Sequence, residues 1–202
     1  MESQRRALRG VAEKISKSIS HGDTVGLGSG STVAALLEEL APLLVARKAE
    51  VILSDVSDWR LKFAEAGGFG TVLDARRSDV QAAVRSETEG RGADLAIVAS
   101  GSQAAVAQGV KSVRKGGRVC LFGIPVEGSV LEYPLSDFYG KELALVTSYG
   151  ASEVETKEAL KVLVDNQAEF ARLITHKFPL AEFEKGVSAI ERGIAMKVAI
   201  VP

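Results

Sequence analysis

The sequence predicts a doubly wound α/β protein, a three-layer α/β/α arrangement around a parallel sheet, and two observations carry that prediction. Short apolar, β-branched runs alternate with helical patterns along nearly the whole chain, the signature of parallel strands joined by crossover helices. One run, Ala93 to Ala99 (ADLAIVA), is apolar almost throughout, as a central strand covered on both faces requires.

Taken in order, residues 4 to 20 carry Leu8, Val11, Ala12, Ile15 and Ile19 at helical spacing, ended by Ser20-His21-Gly22-Asp23. Thr24 to Leu27 reads as the first strand, and 31 to 46 as a helix with an apolar stripe of Val33, Leu36, Leu37, Leu40 and Leu44 that Pro42 ends or kinks. The second strand is expected at Glu50 to Ser54, a helix at 57 to 67 closed by Gly67-Gly68, a third strand at Gly70 to Leu73 and a helix at 77 to 89. After the central run, Ser102 can cap a helix over 103 to 113, Lys115-Gly116-Gly117 turns the chain, and Arg118 to Phe122 is the fifth strand. A loop through Pro125 and Pro134 leads to a sixth strand at Leu143 to Thr147. Ser152 and Glu155 fit a capping box opening a helix to about 165, followed by a helix near 181 to 191 and a last strand at Lys197 to Val201. No repeat or linker interrupts this, so 1–202 is expected to be one domain: a first βα unit over 1–48, a core over 49–150 and C-terminal helices and a strand over 151–202.

Composition narrows the function. With 25 Lys and Arg against 26 Asp and Glu, the net charge is -1, which removes the positive footprint of a nucleic-acid binder. No apolar run is long enough for a membrane span, and MESQRRALRG lacks the apolar stretch of a signal peptide, so a cytoplasmic protein is expected. The lone cysteine, Cys120, sits in the apolar run VCLFG and reads as a buried small hydrophobe.

The loop after the first strand is VGLGSGST, residues 25 to 32. Glycines let the backbone turn tightly and approach a ligand, and a following helix start offers unpaired N–H groups to phosphate. A G-x-G-x-x-G pattern would need glycine at 31, where the chain has Ser31, so a purely structural turn is the alternative. The string GDTVGLGSGSTVAALLEEL resembles the opening of ribose 5-phosphate isomerase A over about residues 7 to 48. That resemblance implies a sugar-phosphate site at Ser29, Gly30, Ser31 and Thr32. The family's catalytic D-G-A-D-E and K-x-x-G-G-G-A motifs have only the fragments Arg91-Gly92-Ala93-Asp94-Leu95 and Lys115-Gly116-Gly117-Arg118 as counterparts, so isomerase catalysis is not expected.

From about residue 49, the strings AEVILSDVSDWRLKFAEAGG, GRGADLAIVASGS, VRKGGRVCLFGIP, LVTSYGAS, LITHKFPLAEFEKGVSAIERG and MKVAIVP resemble, in order, the C-terminal half of the medium-chain zinc-type alcohol and polyol dehydrogenases, the sorbitol branch included. The resemblance implies a Rossmann-like domain that binds NAD across the carboxyl ends of its strands. Gly26, Gly28 and the loop through Thr32, which precede this stretch, are then the expected phosphate-facing turn of the cofactor site, in a form that resembles a monophosphate loop. Asp55, at the end of the second strand, would accept hydrogen bonds from the adenine-ribose hydroxyls and repel the extra phosphate of NADP; a helix-capping aspartate is the alternative. Arg60 would pack on the adenine or lie on a solvated helix face. Ser100, Gly101 and Ser102 would line the adenine ribose or the pyrophosphate, or form a plain loop, Gly123 and Ile124 would face the nicotinamide half, and Lys197 would approach the pyrophosphate or be simply an exposed lysine.

Gly26 and Asp55 are 29 positions apart, against about 20 in the usual dinucleotide motif. A fusion, natural or engineered, of an isomerase-like first βα unit to a dehydrogenase-like body near residues 45 to 51 accounts for both resemblances. The dehydrogenase family carries its zinc, substrate pocket and proton relay mainly in a domain that precedes this stretch. Only His21 and His176 accompany Cys120, so no zinc site is expected. The expected function is NAD binding without hydride transfer; binding of a sugar phosphate, or a scaffold with no ligand, are the alternatives. A homodimer paired through the sheet edge at 143 to 147 is the assembly the family resemblance implies.

Overall fold

A computed structural model describes the backbone of residues 24–28 and residues 49–68, 70–147, 149, 153–165, 167, 171 and 173–202. The helices expected at 4 to 20 and 31 to 46, and the capping Ser152, lie outside these. The chain divides into two compact units, one over 11–151 and one over 1–10 with 152–202.

The larger unit is built on a six-stranded parallel sheet of β1 (Thr24–Gly28), β2 (Glu50–Asp55), β3 (Thr71–Asp74), β4 (Ala93–Val98), β5 (Val113–Leu121) and β6 (Ala144–Thr147) in the order β3-β2-β1-β4-β5-β6. This is the Rossmann-like order, in which the chain runs outward from β1 to one edge and then returns past it to build the other. β1 lies at the centre, with Gly26 opposite Ile52 on one side and Ala96 on the other. All six residues of β4 are buried, as a run apolar but for Asp94 anticipates.

Helices α1 (Asp58–Gly67), α2 (Val80–Glu87) and α3 (Gln103–Ser112) make the crossovers, and the short α4 (Leu135–Gly140) precedes β6. The main core cluster sets Val106 and Val110, one helical turn apart on α3, against Ala96, Val98 and Val119 of the sheet. A second cluster joins Val80 and Val84 of α2 to Ile52 and Ala93. Gly68 closes α1 in the left-handed region at φ 63°, which only glycine adopts at little cost.

Three local expectations are corrected. The side chain of Ser102 makes no capping bond; instead its N–H donates to Ser100 Oγ at 3.1 Å. The helix expected from 77 starts later, at Val80, because Asp79 supplies the cap, accepting from Ala82 N at 3.0 Å. The Lys115-Gly116-Gly117 turn does not separate helix from strand: β5 already begins at Val113, opposite Ala93, and the turn is an irregularity after which Arg118 pairs with Leu95.

The smaller unit contains α5 (Glu153–Asp165) and a parallel pair, β7 (Ile174–Pro179) and β8 (Lys197–Val201), joined by a 3₁₀ turn at Leu180–Glu182 and α6 (Phe183–Glu191). β7 and α4 were not anticipated. α6 packs on the pair through Gly186, whose missing side chain leaves room for Val198, Ile200 and Phe178.

A carboxylate crevice at the strand tips

The candidate site lies at the carboxyl ends of β2 and β4. β2 is covered on both faces, so the adjacent Ile52 and Leu53 are both buried, and the strand ends on Asp55, which is also buried. Burying a carboxylate costs free energy unless donors surround it, and here they do. Asp55 Oδ1 accepts from the main-chain N–H groups of Val56 at 2.6 Å and Ser57 at 2.8 Å and from Arg60 Nη2 at 3.0 Å. Arg60 Nε donates to Oδ2, completing a two-pronged pair. The structure puts the Arg60 guanidinium on Asp55, because residue 60 lies in the first turn of α1 and its side chain folds back over the strand end.

Next to Asp55 in the sheet register stands Asp74, the last residue of β3. Its carboxylate takes Arg76 Nε at 2.8 Å and Nη2 at 2.7 Å and the main-chain N–H of Arg76 at 3.0 Å. Arg76 also bonds Asp58 at the start of α1. The side-chain hydrogen bond from Arg76, followed by its main-chain bond, holds the Asp74 carboxyl at about 2. Sequence reasoning missed this second acid-arginine pair; the pattern Asp74-Ala75-Arg76-Arg77 directly after a strand was its signal.

A cavity of about 250 Å³ opens beside Asp55 and Arg60. Its mouth carries Ser54, Asp55, Val56, Arg60, Ser100 and Ser102, and its walls are Ile52, Ala75, Val80, Ala96, Ala104 and Ala105. The buried Ser112 hydroxyl, which also lines the cavity, has no hydrogen-bond partner among the described residues. A polar rim over an apolar slot, with one fixed anion at the lip, suits a flat heteroaromatic ring attached to a polyol.

The loops after β4 and β5 are pressed together. A Cβ on Gly101 would stand 2.2 Å from the Ile124 carbonyl oxygen, and one on Gly123 would stand 2.5 Å from Ser100 N. Phe122 N and Gly123 N both donate to Val98 O at 2.9 Å. These glycines are therefore required by the approach of one loop to the other, whatever ligand they meet. Gly26 and Gly28 lie in β1; Ser29, Gly30, Ser31 and Thr32 lie outside the described residues.

Lys197 is exposed at the start of β8 in the smaller unit. His176 Nδ1 lies 3.0 Å from Thr175 Oγ1 and its ring stacks on Phe178; His21 falls outside the described residues. Among the described residues no three His, Cys, Asp or Glu side chains come together as metal ligands, and no helix is long and apolar enough to cross a membrane. Burial pushes the Cys120 thiol up.

The sheet order and the crevice at its carboxyl edge define a Rossmann-like α/β domain. The family model "Zinc-binding dehydrogenase" matches residues 40–165, and the chain belongs to that family. An L-threonine 3-dehydrogenase of Caldanaerobacter subterraneus subsp. tengcongensis is 30% identical over 164 residues, 80% of this chain and 47% of the relative. A sorbitol dehydrogenase of Halalkalibacterium halodurans is 27% identical over 187 residues, 92% of this chain and 53% of the relative. Among solved structures, the alcohol dehydrogenase of Thermus sp. ATN1 superposes with a TM-score of 0.76 at 25% identity, covering 98% of this chain and 56% of that one. The chain thus spans about half the length of the relatives it matches. The dehydrogenase likeness also runs through the stretch that resembles an isomerase, and the comparisons give no support to an isomerase portion or to a fusion.

Proposed function

We propose that the larger unit binds NAD(H) at the carboxyl edge of its sheet, with Asp55 accepting the adenine-ribose hydroxyls, the cavity beside it receiving the adenine, and the pyrophosphate crossing the β1 loop. The observation that carries this reading is the buried Asp55 carboxylate, fixed by main-chain donors at the tip of β2 above an apolar slot. Gly26, Gly28, Ser29, Gly30, Ser31, Thr32, Ser100, Gly101 and Gly123 are the further contacts proposed. NAD, when bound, would supply the hydride acceptor; the residues named here bind and orient it.

Hydride transfer by this chain alone is not part of the proposal. The relatives named as threonine, sorbitol and alcohol dehydrogenases are about twice as long. An assay with NAD and L-threonine, sorbitol or small alcohols is expected to show no turnover, and measured turnover would overturn that half of the reading.

Binding is tested by thermal shift with NAD, NADP and ribose 5-phosphate, of which NAD alone should raise the melting temperature. Asp55→Ala removes charge-assisted hydrogen bonds, each about 1.5 to 3 kcal/mol, and should weaken NAD about tenfold to a hundredfold. Unchanged affinity would refute the role of Asp55. We also propose a homodimer through β6, the edge strand of the sheet, where Leu145 and Val146 are exposed.

A further inference from the structure

We propose that the cavity at the strand tips continues inward as a second binding site, which takes a small neutral ring carrying one hydroxyl, of the size of phenol, against the Ser112 side chain. This goes beyond the nucleotide reading, which uses the mouth of the cavity.

The reach of the cavity is the first observation. Ser100 and Ser102 follow β4 at the carboxyl edge of the sheet, whereas Ala93 begins β4 and pairs, at the amino edge, with Val113, the residue directly after Ser112. All four of Ala93, Ser100, Ser102 and Ser112 line the cavity. The six residues of β4 rise about 3.3 Å each, so the lining runs beneath the whole strand, a length on the order of 20 Å. A base resting between Asp55 and Ser100 covers the outer part of it.

The sequence supplies the room. Gly26 stands between Ile52 and Ala96 in the register, and paired residues of neighbouring parallel strands face the same side of the sheet. Ile52 and Ala96 both line the cavity, so β1 contributes no side chain between them. From the helices, Val80 and Val84 of α2 and Ala105 of α3 complete walls that are apolar. The volume, about 250 Å³, exceeds the roughly 150 Å³ in which an apolar protein cavity holds benzene.

The chemistry of the ligand follows from what lines this inner part. Ser112 is 7% exposed, and its hydroxyl is unpartnered among the described residues. A buried hydroxyl left without a partner costs free energy that a ligand hydroxyl would return. A lone water is a poor substitute, because it needs about two to four polar partners and the surrounding walls are Val84, Ala93 and Ala96. Among the described lining residues Asp55 and Arg60 alone carry charge, and they stand at the mouth and pair with each other. An ionic ligand therefore finds no counter-charge farther in, whereas a hydroxylated ring satisfies Ser112 and fills the apolar slot together.

The test is an amide-shift NMR titration of the full chain with phenol and with toluene, which has nearly the same shape and lacks the hydroxyl. Phenol should bind saturably and shift the amides of Ala93, Ala96 and Ser112. Ser112→Ala should weaken phenol about threefold to tenfold, the worth of one hydrogen bond, and leave toluene unchanged. Gly26→Val, which sets a side chain between Ile52 and Ala96, should abolish binding of both; Ala96→Leu fills the same space from β4 if the Gly26 variant folds poorly. Phenol should still bind when 5′-AMP saturates the mouth, the one arm that depends on the nucleotide reading. The proposal is overturned by a lack of saturable phenol binding, by shifts confined to the mouth, by binding that survives the filling variant, by a Ser112→Ala loss that toluene shares, or by competition from 5′-AMP. If phenol binds as described and 5′-AMP does not bind, the nucleotide reading falls and the inner site stands.

Discussion

Gly123→Ala tests whether the crevice is shaped by the contact between the β4 and β5 loops. The added Cβ would lie 2.5 Å from both Ser100 N and Ser100 C and 2.7 Å from Ala99 C, roughly an ångström inside ordinary contact. The loop after β5 cannot simply withdraw, because Phe122 N and Gly123 N are both tied to Val98 O at 2.9 Å. Overpacking of this kind costs about 1 to 3 kcal/mol, and weakening one tie adds about 1 kcal/mol. The sum, about 2 to 4 kcal/mol, corresponds to a fall in melting temperature on the order of 5 to 15 °C for a chain of this size. Displacement of Ser100 and Ser102 at the cavity mouth should weaken NADH at the same time. Circular dichroism melting and a fluorescence titration read the two effects. Gly101→Ala, which meets the Ile124 carbonyl from the other side, should act in the same direction, and the double variant should cost less than the sum because both relieve one contact. An unchanged melting temperature together with unchanged affinity would refute this account of the crevice.

Other changes probe other parts of the molecule. Asp94, buried at the start of β4, bonds Arg114 and lies 3.7 Å from Arg91. Asp94→Ala should destabilise by about 1 to 3 kcal/mol in urea unfolding, below the full value of a broken buried pair because Arg114 can turn to solvent. The Asp74 carboxyl, held at about 2 against an ordinary 3.8, should stay ionised through mild acid in a carbon-detected NMR titration, and Arg76→Ala should return it to the usual range. Because the folded value is the lower one, its stabilising contribution is complete above pH 3.8 and fades as pH falls through about 2. Leu145→Lys on the exposed edge strand should convert a dimer to a monomer in sedimentation velocity; a monomer for both proteins would remove the edge-pairing proposal.

Alternation of apolar runs and helical stripes is enough to place β1 to β6 and most of the described helices, because burial on a two-sided sheet writes itself directly into residue type. β7 escaped because ITHKFP mixes polar and apolar residues and ends in proline, and its pairing with β8 depends on partners 22 or 23 residues away. The helix Leu135–Gly140 is too short to show a period. At the site, Asp55 was legible from its position at a strand end. The engagement of Arg60 was not, since a helix-surface arginine has many rotamers and only the fold shows which acid lies within reach. The sequence shows Gly101 and Gly123 after strand ends, but that each is required by the close approach of the opposite loop is visible only in three dimensions.

β4 joins β1 and β5 edge to edge, all six of its residues shielded. Its amides should exchange with deuterium only when the whole larger unit opens, so their slowest rates report that unit's global stability. The Ser100–Ser102 lip springs straight from this strand, which means that the ligand-facing rim is mounted on the last part of the unit to melt. Mild heating should therefore slacken the sheet margins while leaving the rim in register.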